Sequence, residues 1–537
     1  MRFMNPKLFL YLLFAFIITS CGTSRLVTTP ISDIDNTPLK YTELTEAEEK
    51  IWGHLDFVND TIPGISVEKA YNELIKNKKG AKVIVAVIDS GIDIDHEDLE
   101  GVIWTNKNEI PNNNKDDDNN GYVDDVHGWN FLGEAYQEQL EYVRLLAGGN
   151  TKDPRYAEAE AEYQKKRTEY LNLKAQYGQI IPIIEDAHKA VSAHLKKENY
   201  EKDEVSAIKT EDKTLQQHIY TINTLVFGND FKTTQDALDV FNDTLKQLNE
   251  MLDYNLNKSF NGRKIVGDNP DDFNDRNYGN GNVKPRDKDE GHGTHVAGIV
   301  AAERNNGKGV NGVANNVEIM SIRAISNGDE YDKDVALAIR YAADNGAKIV
   351  NMSFGKYYSP HSDWVKEAIL YAEQKDVLLI SGAGNESLNL DNKASYPQDQ
   401  ENGVEFATNF LSVGATEQKY GSGVVANYSN YGKNTVDVFA PGSNIYSTYP
   451  NNTYKAEGGT SMSAPMVAGL AALIRSQYPK LSAAQVKQII MDSGLSLKAK
   501  VIVGGNSNNV KPFGELSKSS KLVNAYNALI MARKISN

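Results

Sequence analysis

Three short segments carry side chains that could act together on a carbonyl carbon. Gly459-Thr460-Ser461-Met462-Ser463-Ala464-Pro465 sets a serine behind a glycine, at the opening of an apolar stretch over 462–474. A serine placed there can project its hydroxyl from a tight turn, with the positive end of a helix beneath any anion that forms. Taken alone, the stretch also reads as an ordinary helix cap. A serine hydroxyl is a poor nucleophile and needs a base to take its proton and a third group to orient that base. Gly291-His292-Gly293-Thr294-His295-Val296-Ala297-Gly298 offers the base, again in a glycine-rich turn that opens an apolar helix. Val83-Ile84-Val85-Ala86-Val87-Ile88 is a continuous apolar run and reads as a buried parallel strand. Asp89 ends it, where open α/β sheets build their sites. A lone cap histidine is more often structural, and Asp-Ser-Gly can be a simple turn. The three segments together, in the order Asp, His, Ser, point to acyl transfer through a serine.

The elements that must position these residues alternate. Strand-like runs fall at 317–323, 348–352, 376–380, 410–415 and 436–439, with amphipathic helices at 333–345 and 362–374 between them. Such alternation implies right-handed crossovers and a mostly parallel sheet with helices on both faces, an α/β fold.

The chain resembles the subtilisin-like (subtilase) serine peptidases through Asp89-Ser90-Gly91, His292-Gly293-Thr294-His295 and the segment 459–465, together with Ser381-Gly382-Ala383-Gly384-Asn385. The resemblance implies the three-layer subtilisin-like fold. It also implies a serine endopeptidase in which Asp89 orients, His292 is the base and Ser461 attacks. Asn385 and the Ser461 backbone N–H would hold the oxyanion. His295, one helical turn past His292, is read as a packed helix residue. Ser353-Phe354-Gly355 and Ser381-Gly382-Ala383 align with segments that line the family's main specificity pocket and pair with an extended substrate, which favours chain conformation over sequence. These two segments hold no acidic residue, so an apolar or mixed side-chain preference is expected. No cofactor is expected for catalysis.

Composition agrees with an enzyme. The 537 residues can bury a large core, and a net charge of −15 excludes the basic face of a nucleic-acid binder. Arg2 and Lys7 precede an apolar run of eleven residues over 8–18, closed by Ile18-Thr19-Ser20-Cys21. This pattern describes a secretory signal rather than a membrane span. The position of Cys21 resembles the lipobox of bacterial lipoproteins, in which the cysteine is lipidated; the alternative is a plain signal peptide. Cys21 is the sole cysteine, so no disulfide stabilises the fold. The expected organisation is a signal peptide with lipobox over 1–21, a tether over 22–50, a peptidase domain over 51–132 and 262–537, and a helical insertion over 133–261. The corresponding location is the bacterial cell envelope, anchored by lipid, with polypeptides as substrates. Fewer than seventy residues separate Cys21 from Asp89, too few for a full prodomain; a short activation segment within 31–60 is the alternative.

About two hundred residues lie between Asp89 and His292, where the family usually has a few tens. Tyr156, Tyr163, Tyr170 and Tyr177 recur every seven residues. Leu215, Ile219, Ile222 and Val226 continue the pattern, as do Phe241, Leu245, Leu248, Leu252 and Leu256. These are narrow apolar seams of helices packed on each other, a hairpin or small bundle. The insertion is either structural elaboration or a cover that restricts access to the cleft. Asp116, Asp118, Asn120 and Asp124 surround Gly121 with a spacing that resembles a calcium loop, although His127 stands where an EF-hand has a bidentate glutamate. A solvated acidic turn is the alternative. One further class stays open at this stage, a catalytically silent fold relative that binds envelope partners.

Overall fold

The computed structural model describes residues 28–32, 34–40, 42–286 and 290–536. Cys21 and the apolar run before it lie outside these residues. Among the described residues no helix is long and apolar enough to cross a membrane.

Nine strands form one sheet. In chain order they are β1 (Val83–Asp89), β2 (Gly128–Asn130), β3 (Val317–Arg323), β4 (Ile349–Met352), β5 (Leu378–Gly382), β6 (Phe410–Thr416), β7 (Val438–Pro441), β8 (Leu495–Ser496) and β9 (Lys521–Leu522). Their order across the sheet is β8-β9-β7-β6-β5-β4-β1-β3-β2, and every pairing is parallel except β8 with β9 at one edge. The α/β architecture expected from the alternating pattern is therefore present. Strand side chains alternate between faces. Val83, Val85 and Val87 enter one core with the helices α5 (His292–Ala301), α8 (Thr460–Gln477), α9 (Ala483–Ser493) and α10 (Ala525–Ser536). Ala86 and Ile88 enter the other, with α6 (Asp332–Asp344) and α7 (Ser362–Gln374). By the same alternation Asp89 falls on the face that carries α5 and α8, the helices whose first turns bear His292 and Ser461.

The insertion is helical, as its seams predict. It contains α1 (Glu141–Ala147), the 40-residue α2 (Tyr156–Leu195), α3 (Lys213–Thr221) and α4 (Thr234–Glu250). At 1.5 Å per residue α2 is roughly 60 Å long. Its tyrosine seam joins two separate cores. Tyr163 is buried near the root with Tyr142, Val143 and Leu256. Tyr177 packs edge-on against Phe241 in the distal core, with ring centroids 5.6 Å apart.

Buried charges bind the root to the catalytic body. Lys356, three residues past Ser353, is buried and its ammonium meets Glu141 at 2.7 Å and Asp332 at 3.0 Å. Arg144 meets the same Glu141 carboxylate at 2.5 Å and stacks on the Tyr331 ring. Burial pushes the Glu141 carboxyl up, but the two cations outweigh it and hold it down at about 2. On the returning chain Arg263 pairs with Asp334 and Asp268, at 2.5 and 2.6 Å. Glu141 thus ties the insertion to the body of the fold, and Arg263 anchors the chain just after the insertion ends. Breaking a buried ion pair by removing one partner leaves an uncompensated charge. Glu141→Ala is therefore expected to lower unfolding free energy by about 3–5 kcal/mol, read from urea or thermal unfolding. Loss below 1 kcal/mol would show that Asp332 alone neutralises Lys356.

Candidate active site

Asp89 ends β1 on the face of α5, and its Oδ1 accepts a hydrogen bond from Ser90 N at 2.8 Å. The same oxygen lies 2.8 Å from His292 Nδ1. Gly293 makes this approach possible: a Cβ there would stand 2.3 Å from the Gly91 carbonyl oxygen and 3.2 Å from Asp89 Cβ. Asp89 is buried, whereas the His292 side chain keeps 40% of its surface exposed and reaches the cleft. Burial disfavours the imidazolium, but the Asp89 carboxylate attracts and hydrogen-bonds it more strongly, so the His292 pKa is raised. His295 behaves as the packed residue expected of it. Its Nε2 lies 2.9 Å from the Ile445 carbonyl, and burial lowers its pKa to about 4.

Ser461 stands in the first turn of α8. Gly459 adopts φ +153° just before it, a conformation that side chains rarely take. Pro465 has no N–H to return to the Ser461 carbonyl four residues earlier. That carbonyl instead accepts from Ser353 Oγ at 2.8 Å. Ser461 Oγ in turn donates to the Ser353 carbonyl at 3.0 Å, and Asn351 Nδ2 donates to Ser353 Oγ at 2.9 Å. The end of β4 thereby clasps Ser461 from both sides. In this rotamer the hydroxyl points to Ser353 rather than to His292.

Asn385 Oδ1 accepts from Thr460 N at 2.9 Å and from Thr460 Oγ1 at 3.1 Å. This fixes the amide with its Nδ2 as the donor beside the turn. The segment is braced behind by Glu386, whose carboxylate accepts from Asn385 N at 2.8 Å and from Asn430 Nδ2 at 3.2 Å, and bonds the Tyr357 hydroxyl. Ser381, Gly382 and Ala383 leave β5 alongside Ser353, Phe354 and Gly355, which leave β4; the two strands pair in parallel with Met352 opposite Ser381. The two predicted pocket segments are thus neighbours at one end of the sheet. Gly355 is exposed and Phe354 half-buried.

Several residues of the site escaped sequence reasoning. Arg323 ends β3 opposite Asp89 and is buried. Its guanidinium donates to Ser90 O at 3.0 Å, to Ala135 O at 2.8 Å and to Glu290 at 2.6 Å. The one available signal was an arginine closing a strand that is apolar except at Glu318 and Ser321. Glu386, Tyr357 and Asn430 gave no signal, because their meeting depends on tertiary contact.

The predicted calcium loop is rearranged. Asp116 accepts from the Asn120 and Gly121 amides, at 3.0 and 2.8 Å, and Asp124 from the Asn113 and Asn114 amides, at 3.1 and 2.9 Å. These carboxylates close the loop on itself and are not brought together. Asn120 turns its Nδ2 to Asp125 at 3.0 Å. Of the four predicted ligands only Asp118 joins a carboxylate group, with Glu109 and Asp125, their oxygens within 4.8 Å of one another. Short acidic side chains readily bond to nearby backbone amides in this way.

The arrangement holds a hydroxyl at a helix N-terminus, an imidazole oriented by a carboxylate, and an amide donor beside them. These are the parts needed to add a serine to an acyl carbon. The family model described as the subtilase family matches residues 80–514. A thermophilic serine proteinase of Bacillus sp. (strain AK1) is 44% identical over 188 residues, 35% of this chain and 43% of the relative. Subtilisin DY of Bacillus licheniformis is 37% identical over 223 residues, 41% of this chain and 76% of the relative. Thermitase of Thermoactinomyces vulgaris is 39% identical over 188 residues, 35% of this chain and 62% of the relative. The chain therefore spans less than two thirds of the length of two of these three relatives. With the match extending over most of its length, the chain belongs to the subtilase family.

Proposed function

We propose that this protein is a serine endopeptidase that cleaves polypeptides through an acyl-enzyme. The observation that carries this reading is the 2.8 Å Asp89–His292 contact facing the first turn of α8, where Ser461 lies beside the Asn385 amide. Ser461 Oγ turns from the Ser353 carbonyl to His292 Nε2, gives up its proton and attacks the carbonyl carbon. The oxyanion accepts from Asn385 Nδ2 and the Ser461 N–H. Donors aimed at developing charge act most strongly where water is excluded. The imidazolium, stabilised by Asp89, returns the proton to the leaving amine as the C–N bond breaks. Water then attacks the ester with His292 again as base and releases Ser461.

His292 must be neutral to accept the proton, and its pKa lies above the usual 6.5. kcat/KM on an unfolded protein substrate should therefore rise through one ionisation above pH 6.5. The Asp89–His292 ion pair runs the other way: its contribution to stability is fully present below the unfolded pKa and is lost as pH rises through the raised one. Ser461→Ala should abolish labelling by a fluorophosphonate and lower kcat on the order of 10⁶-fold, the magnitude known for this change in subtilisin. Proteolysis that survives the substitution refutes the assignment. Labelling without proteolysis of any unfolded chain would favour an esterase.

A structural calcium belongs to this reading, held by Glu109, Asp118 and Asp125. Three hard carboxylate oxygens suit that ion, which would displace the amide donors of Asn106 and Asn120. Chelation should lower the melting temperature by several degrees and added calcium should restore it; no change on chelation removes the ion from the account. The sequence pattern at 1–21 supports export and lipid attachment at Cys21 to a bacterial envelope membrane. Cys21→Ala should move the protein from the membrane fraction to the soluble one, and equal retention of the variant would rule the lipid out.

A further inference from the structure

Residues 356–358 follow the predicted pocket segment 353–355, and the insertion grips each of them. Lys356 Nζ donates to Glu141 at 2.7 Å. The Tyr357 carbonyl accepts from Arg155 Nη1 at 2.7 Å. The same guanidinium stacks 3.8 Å from the centroid of the Tyr358 ring, and the Tyr358 hydroxyl donates to Glu162 at 3.2 Å. Glu141, Arg155 and Glu162 all belong to the insertion. On its other edge this strap pairs with the body of the fold. Lys356 N donates to the Tyr396 carbonyl at 3.0 Å, and Tyr396 N to the Lys356 carbonyl at 2.8 Å. The strap is thus held from two sides by distant parts of the chain.

Tyr357 carries this hold across to the segment that bears Asn385. Its hydroxyl donates to Glu386 Oε2. Asn385 N donates to the same oxygen at 2.8 Å, and Asn430 Nδ2 at 3.2 Å. Asn430 is fully buried, and its Nδ2 also reaches the Tyr357 hydroxyl at 3.0 Å and the Ala383 carbonyl at 2.8 Å. Glu386 itself is exposed. An exposed carboxylate gains little from a single partner and is readily claimed by water. Here three donors converge on one of its oxygens, and the phenol is the one that comes from the strap. Asn385 therefore has two fixings: Thr460 sets the rotation of its amide, and Glu386 sets its backbone.

We infer that Tyr357 is a positioning residue for Asn385, and that the insertion, through Arg155 and Tyr357, sets where the oxyanion donor stands. The inference rests on the endopeptidase reading and gives the insertion a part in the rate of the reaction. A donor stabilises an oxyanion fully only when it is already aimed at the place where the charge develops. Tyr357→Phe keeps the ring and removes the hydroxyl, so Glu386 turns to solvent and the Asn385 backbone loses its stop. That loss falls on the transition state and leaves substrate binding nearly unchanged.

The test is a double-mutant cycle on the full-length protein, with kcat and KM measured on a peptide that the wild type cleaves. Tyr357→Phe should lower kcat by about tenfold, a fraction of the roughly 10²–10³ known for losing the asparagine donor in subtilisin. KM should change by less than about twofold. Added to Asn385→Ala, the same substitution should change kcat by less than about twofold, because the group it positions is gone. Arg155→Ala should lower kcat with KM held, and Arg155→Lys, which keeps a donor for the Tyr357 carbonyl, should recover most of the loss. Where turnover by Asn385→Ala is too slow, the rate of fluorophosphonate labelling supplies the same cycle, since that reaction also builds charge on an oxygen beside Ser461. Equal losses from Tyr357→Phe with and without the Asn385 amide overturn the inference. So does an unchanged kcat in either Tyr357→Phe or Arg155→Ala. Wild-type cleavage in those cases leaves the endopeptidase reading intact. A wild type that cleaves neither peptides nor an unfolded protein removes both.

Discussion

A guanidinium buried beneath the cleft fixes the relation of everything around it. Arg323 cannot shed its proton, so each of its donors must find an acceptor inside the protein. It finds them on separate pieces of chain: the Ser90 carbonyl beside Asp89, the Glu290 carboxylate two residues before His292, and Asn130, Gly133 and Ala135 where the insertion leaves the sheet. The Asp89 segment, the approach to His292 and the root of the insertion are therefore one unit. A buried ion pair adds little net stability over an apolar alternative, but its geometry is demanding. At this position that demand fixes where Asp89 and His292 meet.

The placement of the candidate site was largely legible in the sequence because each of its residues sits at the end of a regular element. A continuous apolar run announces β1 and so the place of Asp89. Glycines ahead of apolar helices mark the turns of His292 and Ser461. The α/β class followed from the same alternation, and the helical insertion from its heptad tyrosines. What sequence reasoning missed needs a register or a crossing between distant segments. Arg323 lies opposite Asp89 only because β1 and β3 pair in parallel with that register. The mutual clasp of Ser353 and Ser461 requires the end of β4 to meet the first turn of α8. Pro465 was in view throughout, yet its effect, a carbonyl released for Ser353, appears only when the helix is drawn. In the acidic loop Asp116 and Asp124 bond to nearby amides, while Glu109, outside the motif, lies beside Asp118, a grouping that the loop spacing does not show.

The insertion divides into parts that answer to different physics. Its root is ionic, hydrogen-bonded and shared with the body of the fold, through Glu141 to Lys356 and Asn255 to the Asn327 carbonyl. Its distal part is an apolar core of its own, with Ile184, Val191, Ile222, Val226 and Ala237 fully buried. Removing the whole segment would strip the Glu141 counter-charge from Lys356, three residues past Ser353. Shortening α2 and α4 together, beyond the root core, would leave those charges paired.

The length of α2 has a mechanical consequence. A rod of about 60 Å, held near Tyr358 by Arg155, whose guanidinium lies 3.8 Å from that ring, is a lever with its fulcrum beside the pocket. One degree of tilt at the fulcrum moves the far end by about 1 Å, given that length. The relation also runs in reverse. A force applied at the tip reaches the Tyr357–Glu386–Asn385 brace as a torque multiplied by the full arm, while the same force applied at the root has almost none.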